Sequence, residues 1–556
     1  MQAADYIVDY LIRQQVTDAF GIPGGVILEL LYAMDARKGE FTPHLCYHEQ
    51  SAGFAACGYA QASGRLGVAY ATKGPGFTNL ISAMADAYYD SLPVLFITAH
   101  TGALVEGMRT LNDQEMDTVS MVKGITKYAA RIDSLEDVEK RLSEACFSAL
   151  GGRKGPVFLD IAAGLLRKDI TPTHECYHCV EKFESSDAAH DIISSICIAK
   201  RPVILVGDGV NQSQSTQLFR RFVEKAKVPV LSSRFSHDVM GSSLYYFGYV
   251  GSHGIRQANF ILSKADLIVA IGNRMHYPVN SQSFGAITNR ARIIRVDIDE
   301  AEFKREIPNS TTYHADLSDV LCRVAQVSGA FGNHQEWLKV CHRLERALQE
   351  FDVNVAVEEI ASILKRISGN TYIVNDVGNN EFWVSRAAVL CRLTNRTLYS
   401  KSFGALGSGL GKTIGAYYAT GNPVVCFAGD QGLQMNLQEL QYIAQHNLPI
   451  AIVVLNNQSS GMIKDRETAS GYSYHLHTTT SSGYDAPNFL KIAHAYGIEY
   501  HKGSSDVDFN HLIKPLFIEI PIPDFIGLTP SLPKGRDCQD MEPRIDETLY
   551  NGLNQL

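Results

Sequence analysis

The sequence predicts an α/β protein made of three doubly wound parallel-sheet domains. Short apolar runs bounded by Gly or Pro alternate with longer helical patterns along the chain, as in parallel sheets that are covered by helices on both faces. The length of 556 residues exceeds what one hydrophobic core supports. We therefore expect several domains of similar construction.

Changes in this rhythm divide the chain. We predict a first domain at residues 1–168, a middle domain at 186–335, a third domain at 352–535 and a polar C-terminal tail at 536–556 that lies on the surface. Candidate strands of the first domain are residues 66–72, 92–99 and 155–161. Those of the middle domain are 201–208, 228–233, 267–272 and 291–299, and those of the third are 371–378, 396–402, 423–430, 448–457 and 515–522.

Composition excludes several classes of protein. The formal charge of -9 argues against a nucleic-acid or anionic-membrane surface. No uncharged run reaches the roughly 18 residues of a membrane span, and the N-terminus has the pattern of a charged amphipathic helix rather than of a signal peptide. We expect a cytoplasmic protein whose eleven cysteines are mostly reduced and buried.

A cluster of soft ligands occurs in the stretch between the first two domains. His174, Cys176, His178 and Cys179 lie within six consecutive residues. A zinc site is one interpretation. Side chains this close in sequence could hardly surround one ion tetrahedrally, so a linker with incidental Cys and His is favoured.

The strongest chemical signal lies at the ends of two predicted strands of the third domain. One strand ends in Gly429-Asp430, and the next ends in Asn456-Asn457. The carboxyl ends of parallel strands meet at one sheet edge, where ligands bind. An Asp carboxylate, an Asn amide oxygen and a backbone carbonyl such as that of Ser459 are hard oxygen ligands suited to Mg²⁺.

Two further features bear on this edge. Gly432 and the residue after it open the intervening helix, whose free N–H groups favour a phosphate. The alternative is that Asp430 only caps a helix and that the Asn pair only forms a turn.

This arrangement resembles the diphosphate-binding motif of the thiamine diphosphate enzymes, in which Gly-Asp is followed at this interval by Asn-Asn. The position after Asp430 is usually Gly or Ala in that family and is Gln431 here. The resemblance implies thiamine diphosphate and Mg²⁺ as cofactors.

The first domain carries the other half of the resemblance. Three segments are similar to the pyrimidine-binding domain of acetohydroxyacid (acetolactate) synthases. They are FGIPGG with Gly24 and Gly25, YHEQ with Glu49, and TKGPGFTN at 72–79. In that domain, a glutamic acid exchanges a proton with the aminopyrimidine ring and so activates the thiazolium carbon. A lone Glu49 at a helix start would ordinarily be an N-terminal charge on the helix dipole.

The resemblance extends over nearly the whole chain and implies further roles. Gln114 would lie beside the reacting carbon, Gly404 would bond the pyrimidine, and Leu406 would wedge beneath the thiazolium. The other implied cofactor contacts are Gly378, Asn379, Asn380, Met435, Gly461 and Met462. In this architecture two subunits share each cofactor, so a homodimer or homotetramer is expected.

The stretch GSGLGKT looks like a phosphate loop. A GxxxxGK[ST] match ending at Thr413 would require Gly at the position of Leu406. Similar proteins have Pro and Ala where this chain has Gly411 and Lys412. We interpret the stretch as an ordinary helix start and do not expect an NTPase.

The middle domain resembles those of family members that bind FAD. The matching positions are His253 and Gly254, Gly272 and Arg274, and Asp297 in the VDID strand. A second arginine expected after Arg274 is Pro278 here. Both FAD binding and a flavin-free middle domain with a simple turn at His253 stay open.

The resemblance implies decarboxylation of a pyruvate-like 2-oxo acid donor. Four positions near the second-substrate pocket depart from the synthase pattern: Lys73 and Phe77 replace Ser and Ala, Asp113 replaces Phe, and Arg466 replaces Trp. We expect acyl transfer to a carbonyl acceptor outside branched-chain amino-acid synthesis, and Lys73 and Arg466 are candidates for binding an anionic acceptor. The alternatives are a non-ligating 2-oxo acid decarboxylase, another C–C lyase, or a non-catalytic nucleotide-binding homologue.

Overall fold

The first domain is built on six parallel strands. The computed structural model describes residues 1–102, 113–173, 183–275, 287, 290–327, 329 and 331–556. The strands are β1 (Asp18–Gly21), β2 (Thr42–Leu45), β3 (Gly67–Tyr70), β4 (Val94–His100), β5 (Tyr128–Ile132) and β6 (Val157–Ala162). The helices are α1 (Ala3–Arg13), α2 (Leu28–Asp35), α3 (Glu49–Ser63), α4 (Pro75–Asp90), α5 (Thr118–Val122), α6 (Leu135–Leu150) and α7 (Ala163–Leu166). The strand order β2-β1-β3-β4-β6-β5 puts the switch in winding direction between β1 and β3.

The middle domain repeats this construction. Its strands are β7 (Pro202–Val206), β8 (Val230–Ser232), β9 (Tyr246–Tyr249), β10 (Leu267–Ile271), β11 (Arg292–Asp297) and β12 (Ser310–His314). Its helices are α8 (Ser185–Ile198), α9 (Gly209–Gln212), α10 (Thr216–Ala226), α11 (Arg256–Ser263) and α12 (Leu317–Gln326), and α13 (Gln335–Leu348) leads to the third domain. Two 3₁₀ helices span Arg234–Val239 and Glu300–Lys304. The order β12-β11-β10-β7-β8-β9 puts the switch between β7 and β10.

The third domain has the same number of strands. They are β13 (Tyr372–Asn375), β14 (Thr397–Leu398), β15 (Val424–Gly429), β16 (Ile450–Asn456), β17 (Glu499–Lys502) and β18 (Leu516–Pro521). The helices are α14 (Val355–Leu364), α15 (Asn379–Leu390), α16 (Gly409–Thr420), α17 (Asp430–Gln434), α18 (Glu439–Gln445), α19 (Gly461–Ala469), α20 (Phe489–Ala495) and, in the tail, α21 (Glu547–Asn554), with a 3₁₀ turn at Thr480–Ser482. The order β14-β13-β15-β16-β18-β17 puts the switch between β13 and β15. The predicted class of three parallel-sheet α/β domains is confirmed.

The sequence pattern missed six strands: β1, β2, β5, β9, β12 and β17. Five of these are edge strands, and β1 has only four residues. Edge strands such as β12 (STTYH) and β17 (EYHK) are partly exposed, so they need no continuous apolar run. The polar composition of β12 and β17 therefore left no apolar run by which to predict them.

The C-terminal segment is anchored to the middle domain rather than draped over it. The Tyr550 ring packs edge-on against Phe260, with centroids 5.7 Å apart. Arg256 donates to the carbonyl of Met541 over 3.2 Å and forms an ion pair of 2.7 Å with Asp352. The predicted surface tail is therefore a packed element.

Two features of the sequence cannot be compared with the structure. The His and Cys cluster at 174–179 and Pro278 lie outside the described residues. Within the described part of the chain, no helix is long and apolar enough to cross a membrane.

The first and third domains are joined by the packing of α3 against α16. Glycines let the two helix backbones approach closely: a methyl group on Gly411 would lie 2.7 Å from the carbonyl of Ser51, and one on Gly415 or Gly58 would overlap backbone of the facing helix. One hydrophobic core runs through this contact, with Phe54 from one domain and Ile414 from the other. The two sheets are thereby held in a fixed relation.

A fully buried ion cluster lies at this joint. The Lys412 ammonium lies 2.8 Å from Asp86 and 4.0 Å from Asp90, and it donates to the carbonyl of Tyr399 over 2.8 Å. Burial alone would lower the pKa of Lys412, but the two aspartates outweigh burial and raise this pKa. Burial and the adjacent Asp86 raise the pKa of Asp90 to about 6. As predicted, Lys412 belongs to an ordinary helix, and its charge serves a domain contact.

We expect Lys412→Met to destabilise the joined domains. The substitution keeps the side-chain bulk but leaves two buried carboxylates without their cation, which costs about 3–5 kcal/mol of unfolding free energy. Urea unfolding followed by circular dichroism measures the change. The control is Lys339→Met, which removes an exposed ion pair with Glu336 and should change stability by less than about 0.5 kcal/mol. Equal urea midpoints for the two variants would show that the cluster contributes nothing.

Candidate active site

Asp430 and Asn457 lie at neighbouring carboxyl ends in the third sheet. β15 pairs with β16 in a register that sets Gly429 opposite Leu455. The chain therefore leaves the sheet at Asp430 and at Asn457 side by side. Both side chains are buried, so the structure brings the two predicted metal ligands together inside the protein.

Oxygen atoms converge between these strand ends. With its amide oxygen turned inward, Asn457 places this atom 2.8 Å from the carbonyl oxygen of Ser459 and 3.3 Å from Oδ1 of Asp430. Neighbouring ligands of an octahedral Mg²⁺ at about 2.0–2.1 Å are about 2.9 Å apart. With the amide turned over, its nitrogen would donate to both atoms instead. The ligand types and their spacing fit a small divalent cation.

Asp430 has unsatisfied acceptor capacity. Its Oδ2 is buried and accepts no well-aligned hydrogen bond from the described residues, although the nearby Tyr484 hydroxyl offsets part of the effect of burial on this carboxylate. Burial raises the pKa of Asp430 to about 6. The neighbouring Tyr484 has its pKa raised by burial and by the Asp430 carboxylate. A buried carboxylate in this state is compensated by a proton or by a cation.

Glycines allow side-chain amides to approach the backbone closely at this edge. Gly378 has a φ of +137°, and a methyl group there would lie 2.5 Å from Oδ1 of Asn380. A methyl group on Gly461 would lie 2.6 Å from the Asn457 amide nitrogen and 3.0 Å from that of Asn379. The amides of these predicted diphosphate contacts thus line one small cradle at the start of α15 and α19.

The loop after β14 is tied to the same cradle through a residue that the sequence did not single out. Asp376 accepts the N–H of Gly407 over 2.9 Å, and burial raises the pKa of Asp376 to about 7. Leu406 is half-buried, and its Cδ1 would lie 3.1 Å from a methyl group on Gly432. Gly404 has a φ of +68° and faces open space. Of the two predicted ring contacts, Leu406 therefore lies beside Gly432, and Gly404 precedes it by two residues on the same loop.

Other predicted positions lie around the rim. Gln431 donates its N–H to Oδ1 of Asp430 over 3.1 Å. Met435 is 50% exposed. On α19, Met462 is half-buried, and Arg466 is exposed.

In the first domain, Glu49 begins α3 at the carboxyl edge of the sheet. The helix cap is His48, whose Nδ1 accepts the N–H of Gln50 over 3.1 Å. Glu49 is therefore not needed as a cap. Its Oε2 accepts from the Asn79 amide over 3.0 Å, and its Oε1 would lie 3.4 Å from a methyl group on Gly76. The carboxylate is held, half-buried, over the loop between β3 and α4.

This edge is also the switch point of the first sheet. Gly24, after β1, is so close to Thr72, after β3, that a methyl group there would overlap the Thr72 side chain. Gly25 faces open space. The segments that the resemblance singles out thus meet beside Glu49.

The predicted substrate residues do not all face this edge. Asp113 and Gln114 are exposed there. Phe77, in contrast, is fully buried in the core and cannot line a pocket in this structure. Lys73 is 14% exposed, and its ammonium pairs with Glu115 over 3.1 Å, so its charge is already matched within the protein.

Polar contacts connect the two domain edges. The Asn436 amide donates to the carbonyl of Gly407 over 2.9 Å, and its oxygen accepts from the Ser51 hydroxyl over 2.7 Å. Glu439 accepts the N–H of Tyr47 over 3.0 Å, and burial raises the pKa of Glu439 to about 7. These third-domain residues therefore fix the chain on both sides of Glu49.

Comparison with known proteins decides the family. The thiamine pyrophosphate enzyme N-terminal TPP binding domain matches residues 1–121, the central domain matches 189–324 and the C-terminal TPP binding domain matches 376–520. The chain belongs to the thiamine pyrophosphate enzyme family. The acetolactate synthase large subunit of Lactococcus lactis subsp. lactis (strain IL1403) is 32% identical over 543 residues, 94% of this chain and 92% of that protein. Acetolactate synthase isozyme 2 large subunit of Escherichia coli (strain K12) is 30% identical over 561 residues, 98% of this chain and 100% of that protein.

The middle domain of this thiamine pyrophosphate enzyme borders a large cavity where all three domains meet. Its volume is about 1420 Å³, above the roughly 300–1,000 Å³ of common ligand pockets. The lining contains every predicted flavin position: His253, Gly254, Gly272, Arg274 and Asp297. Burial lowers the pKa of His253 to about 4, so its ring is neutral near pH 7. Gly209 and Gly272 pack backbone against backbone at the switch point beside β7 and β10.

Four residues of this thiamine pyrophosphate enzyme were missed by sequence reasoning: Asp376, Asn436, Glu439 and Tyr484. Asp376 follows the apolar run YIVN as Asp430 follows VVCFAG, so the same strand-end argument could have found it. Asn436 and Glu439 act across the domain joint, and Tyr484 approaches Asp430 from 54 positions away. No local pattern signals such contacts.

Proposed function

We propose that this chain is a carboligase of acetolactate synthase type. It decarboxylates a pyruvate-like 2-oxo acid and transfers the acyl group to a carbonyl acceptor. The carrying observation is the convergence of the Asp430, Asn457 and Ser459 oxygens at the third-domain edge, in a chain whose relatives are named acetolactate synthases. When bound, thiamine diphosphate supplies the carbon nucleophile and takes up the negative charge left by decarboxylation.

The metal in this proposal is Mg²⁺, held by Asp430, Asn457 and the Ser459 carbonyl. Two observations support it: the spacing of these oxygens and the buried Oδ2 of Asp430, which accepts no well-aligned hydrogen bond from the described residues. A cation held by these residues would supply positive charge for the diphosphate of the cofactor, beside the cradle lined by Gly378 and Gly461.

Glu49 is proposed as the residue that holds and transfers a proton at the aminopyrimidine ring. Its half-buried carboxylate is oriented by Asn79 and faces the glycine loop at Gly76. An acid held here would exchange a proton with the aminopyrimidine ring of a bound cofactor.

The acceptor is proposed to differ from that of branched-chain amino-acid synthesis. Asp113 and Arg466 are both exposed, and they stand where the resemblance expects Phe and Trp. Two aromatic walls are thus replaced by charges, which favours a polar or charged acceptor over an aliphatic one.

The proposed assembly is a homodimer or a homotetramer with shared active sites. Support comes from the open side of the cradle: Met435 is 50% exposed, Phe403 is 42% exposed, and Gly404 faces open space. A site that excludes water requires a cover here, and the proposed cover is the first domain of a second copy.

Product analysis tests the function. With pyruvate, thiamine diphosphate and Mg²⁺, we expect CO₂ together with an acyloin-type product once a suitable carbonyl acceptor is added. Treatment with EDTA should abolish turnover, and Mg²⁺ should restore it. Gas chromatography distinguishes the products. Acetaldehyde alone with every acceptor would instead establish a simple decarboxylase.

Glu49→Gln should separate binding from activation. The amide preserves shape and hydrogen bonding but cannot donate the carboxyl proton, so cofactor affinity should stay within about threefold while exchange of the cofactor C2 proton falls by at least about 100-fold. Isothermal titration and NMR measure the two quantities. The matched control is Glu29→Gln, the half-buried partner of the exposed Arg167 in the same domain, which should leave both unchanged.

The same variant tests the shared site. If Glu49 and Asp430 of one active site come from different chains, mixing Glu49→Gln and Asp430→Ala protomers after dissociation restores intact sites. Activity that never returns in the mixed oligomer would contradict this assembly.

A flavin or related nucleotide is proposed for the cavity beside the middle domain. Support comes from the clustering of His253, Gly254, Gly272, Arg274 and Asp297 on one wall. Arg274 donates to the Ser402 hydroxyl over 2.5 Å and so points across the cavity toward the third domain.

We expect the purified protein to absorb visible light as an oxidised flavin. Arg274→Met should weaken FAD binding by about tenfold, through loss of a charge-assisted contact to the ligand's phosphates. Fluorescence titration of stripped protein measures this. A colourless protein that does not bind added FAD would show that the cavity is not a flavin site.

A further inference from the structure

A buried ion pair lies at the carboxyl edge of the first sheet, beside the proposed substrate site. The Lys73 ammonium lies 3.1 Å from Oε1 of Glu115, and their side chains are 14% and 3% exposed. Thr101 completes the cluster: its N–H donates to Glu115 over 2.8 Å, its hydroxyl donates over 2.7 Å, and Lys73 contacts the same hydroxyl at 2.7 Å. One carboxylate oxygen thus joins three chain segments.

This cluster holds the residue directly before Glu115. Gln114 has a φ of +62°, in the left-handed region that side chains other than glycine seldom adopt. Its Cβ is so close to Gly74 that a methyl group there would lie 2.6 Å away. A strained conformation of this kind persists only where the surroundings impose it, and the anchored Glu115 is the next residue along the chain.

The same loop borders Glu49. Lys73 precedes Gly74, which faces Gln114, and Gly76, which faces Glu49, lies two residues further on. The ion pair therefore sets the position of Gln114 relative to the loop on which the Glu49 carboxylate rests.

Lys73 also neutralises the negative charge of Glu115. Burial alone would raise the pKa of Glu115, but the Thr101 hydrogen bonds and Lys73 outweigh burial and lower this pKa to about 2. Glu115 is therefore ionised at neutral pH. Without Lys73, it would repel the carboxylate of a 2-oxo acid arriving at the exposed Gln114.

We propose that Lys73 is a positioning residue, which holds Gln114 through Glu115 and cancels the Glu115 charge, and that it does not itself bind the substrate. This inference rests on the proposed function. It gives a structural role to a lysine at a position where similar proteins have serine, and it removes Lys73 from the candidates for binding an anionic acceptor.

A double-mutant cycle tests the proposal. Lys73→Met should raise KM for the 2-oxo acid by at least about tenfold, because a charged hydrogen-bonded partner is lost, while kcat changes less and cofactor C2 exchange is unchanged. Adding Glu115→Gln removes the uncompensated charge and keeps an acceptor for Thr101. KM of the double variant should therefore return toward the wild-type value.

A direct substrate contact predicts the opposite outcome. If Lys73 bound the substrate, the KM defect of Lys73→Met would persist in the double variant, and this result would overturn the proposal. Lys73→Arg should restore most of the wild-type KM, since it keeps the cation. The control is Arg37→Met, which removes a half-buried ion pair with Asp5 and Asp9 of α1 and should lower stability without changing KM.

A readout without turnover separates this proposal from the proposed function. The Thr101 N–H is bonded to Glu115, so Lys73→Met should accelerate hydrogen exchange in peptides that end near residue 102, and Arg37→Met should not. If the wild type decarboxylates no 2-oxo acid, the proposed function fails, and the exchange result still decides whether Lys73 anchors this segment. Unchanged exchange would overturn the anchor.

Discussion

The whole arrangement depends on one constraint of parallel sheets: at a switch point, two adjacent strands send their following segments in opposite directions and leave a gap at the carboxyl edge. Each of the three sheets has such a gap. Gly24 and Thr72 approach each other in the first, Gly272 packs on Gly209 in the second, and Gly378 and Asp430 border the third. Glycine recurs in these segments because backbones must pass closely where the gap opens. The chemistry proposed for this chain is located at or next to these three places.

Within one chain, the first and third domains are rigidly joined. Packing of α3 on α16 brings glycine faces into contact, and Lys412 neutralises two buried aspartates beside it. Replacing such a cluster with apolar residues could be equally stable, but removing one charge could not. Asn436 then links the segment after Glu49 to the segment after Leu406. The joint therefore positions the two edges with respect to each other as well as holding the domains.

Sequence reasoning located positions that a local pattern marks. Asp430 and Asn457 could be located because each follows a buried strand, and strand ends are visible in the apolar rhythm. It failed where position depends on tertiary contact. Phe77 lies in a segment that resembles a substrate loop, yet Phe77, Leu80, Met84 and Ala87 form the apolar stripe of α4, all fully buried. The helical spacing of these residues indicated that Phe77 is buried, but the prediction followed the resemblance to a substrate loop. The Lys73 pairing had no such signal, because Glu115 is 42 positions away and contacts between loops leave no period in the sequence.

The site contains two kinds of buried carboxylate, those with a raised pKa and one with a lowered pKa. Asp376, Asp430 and Glu439 have raised pKa values because burial penalises their charge. Each is therefore responsive to a cation or proton brought by a ligand. Glu115 is also buried, but its charge is matched by Lys73 and Thr101, and its pKa is lowered. A group already matched within the protein stays ionised whatever binds, so it can hold a geometry without taking part in proton transfer. The matched charge of Glu115 agrees with the positioning role that the contacts of Lys73 and Thr101 support, and the raised pKa of Asp430 agrees with its place in the proposed metal site.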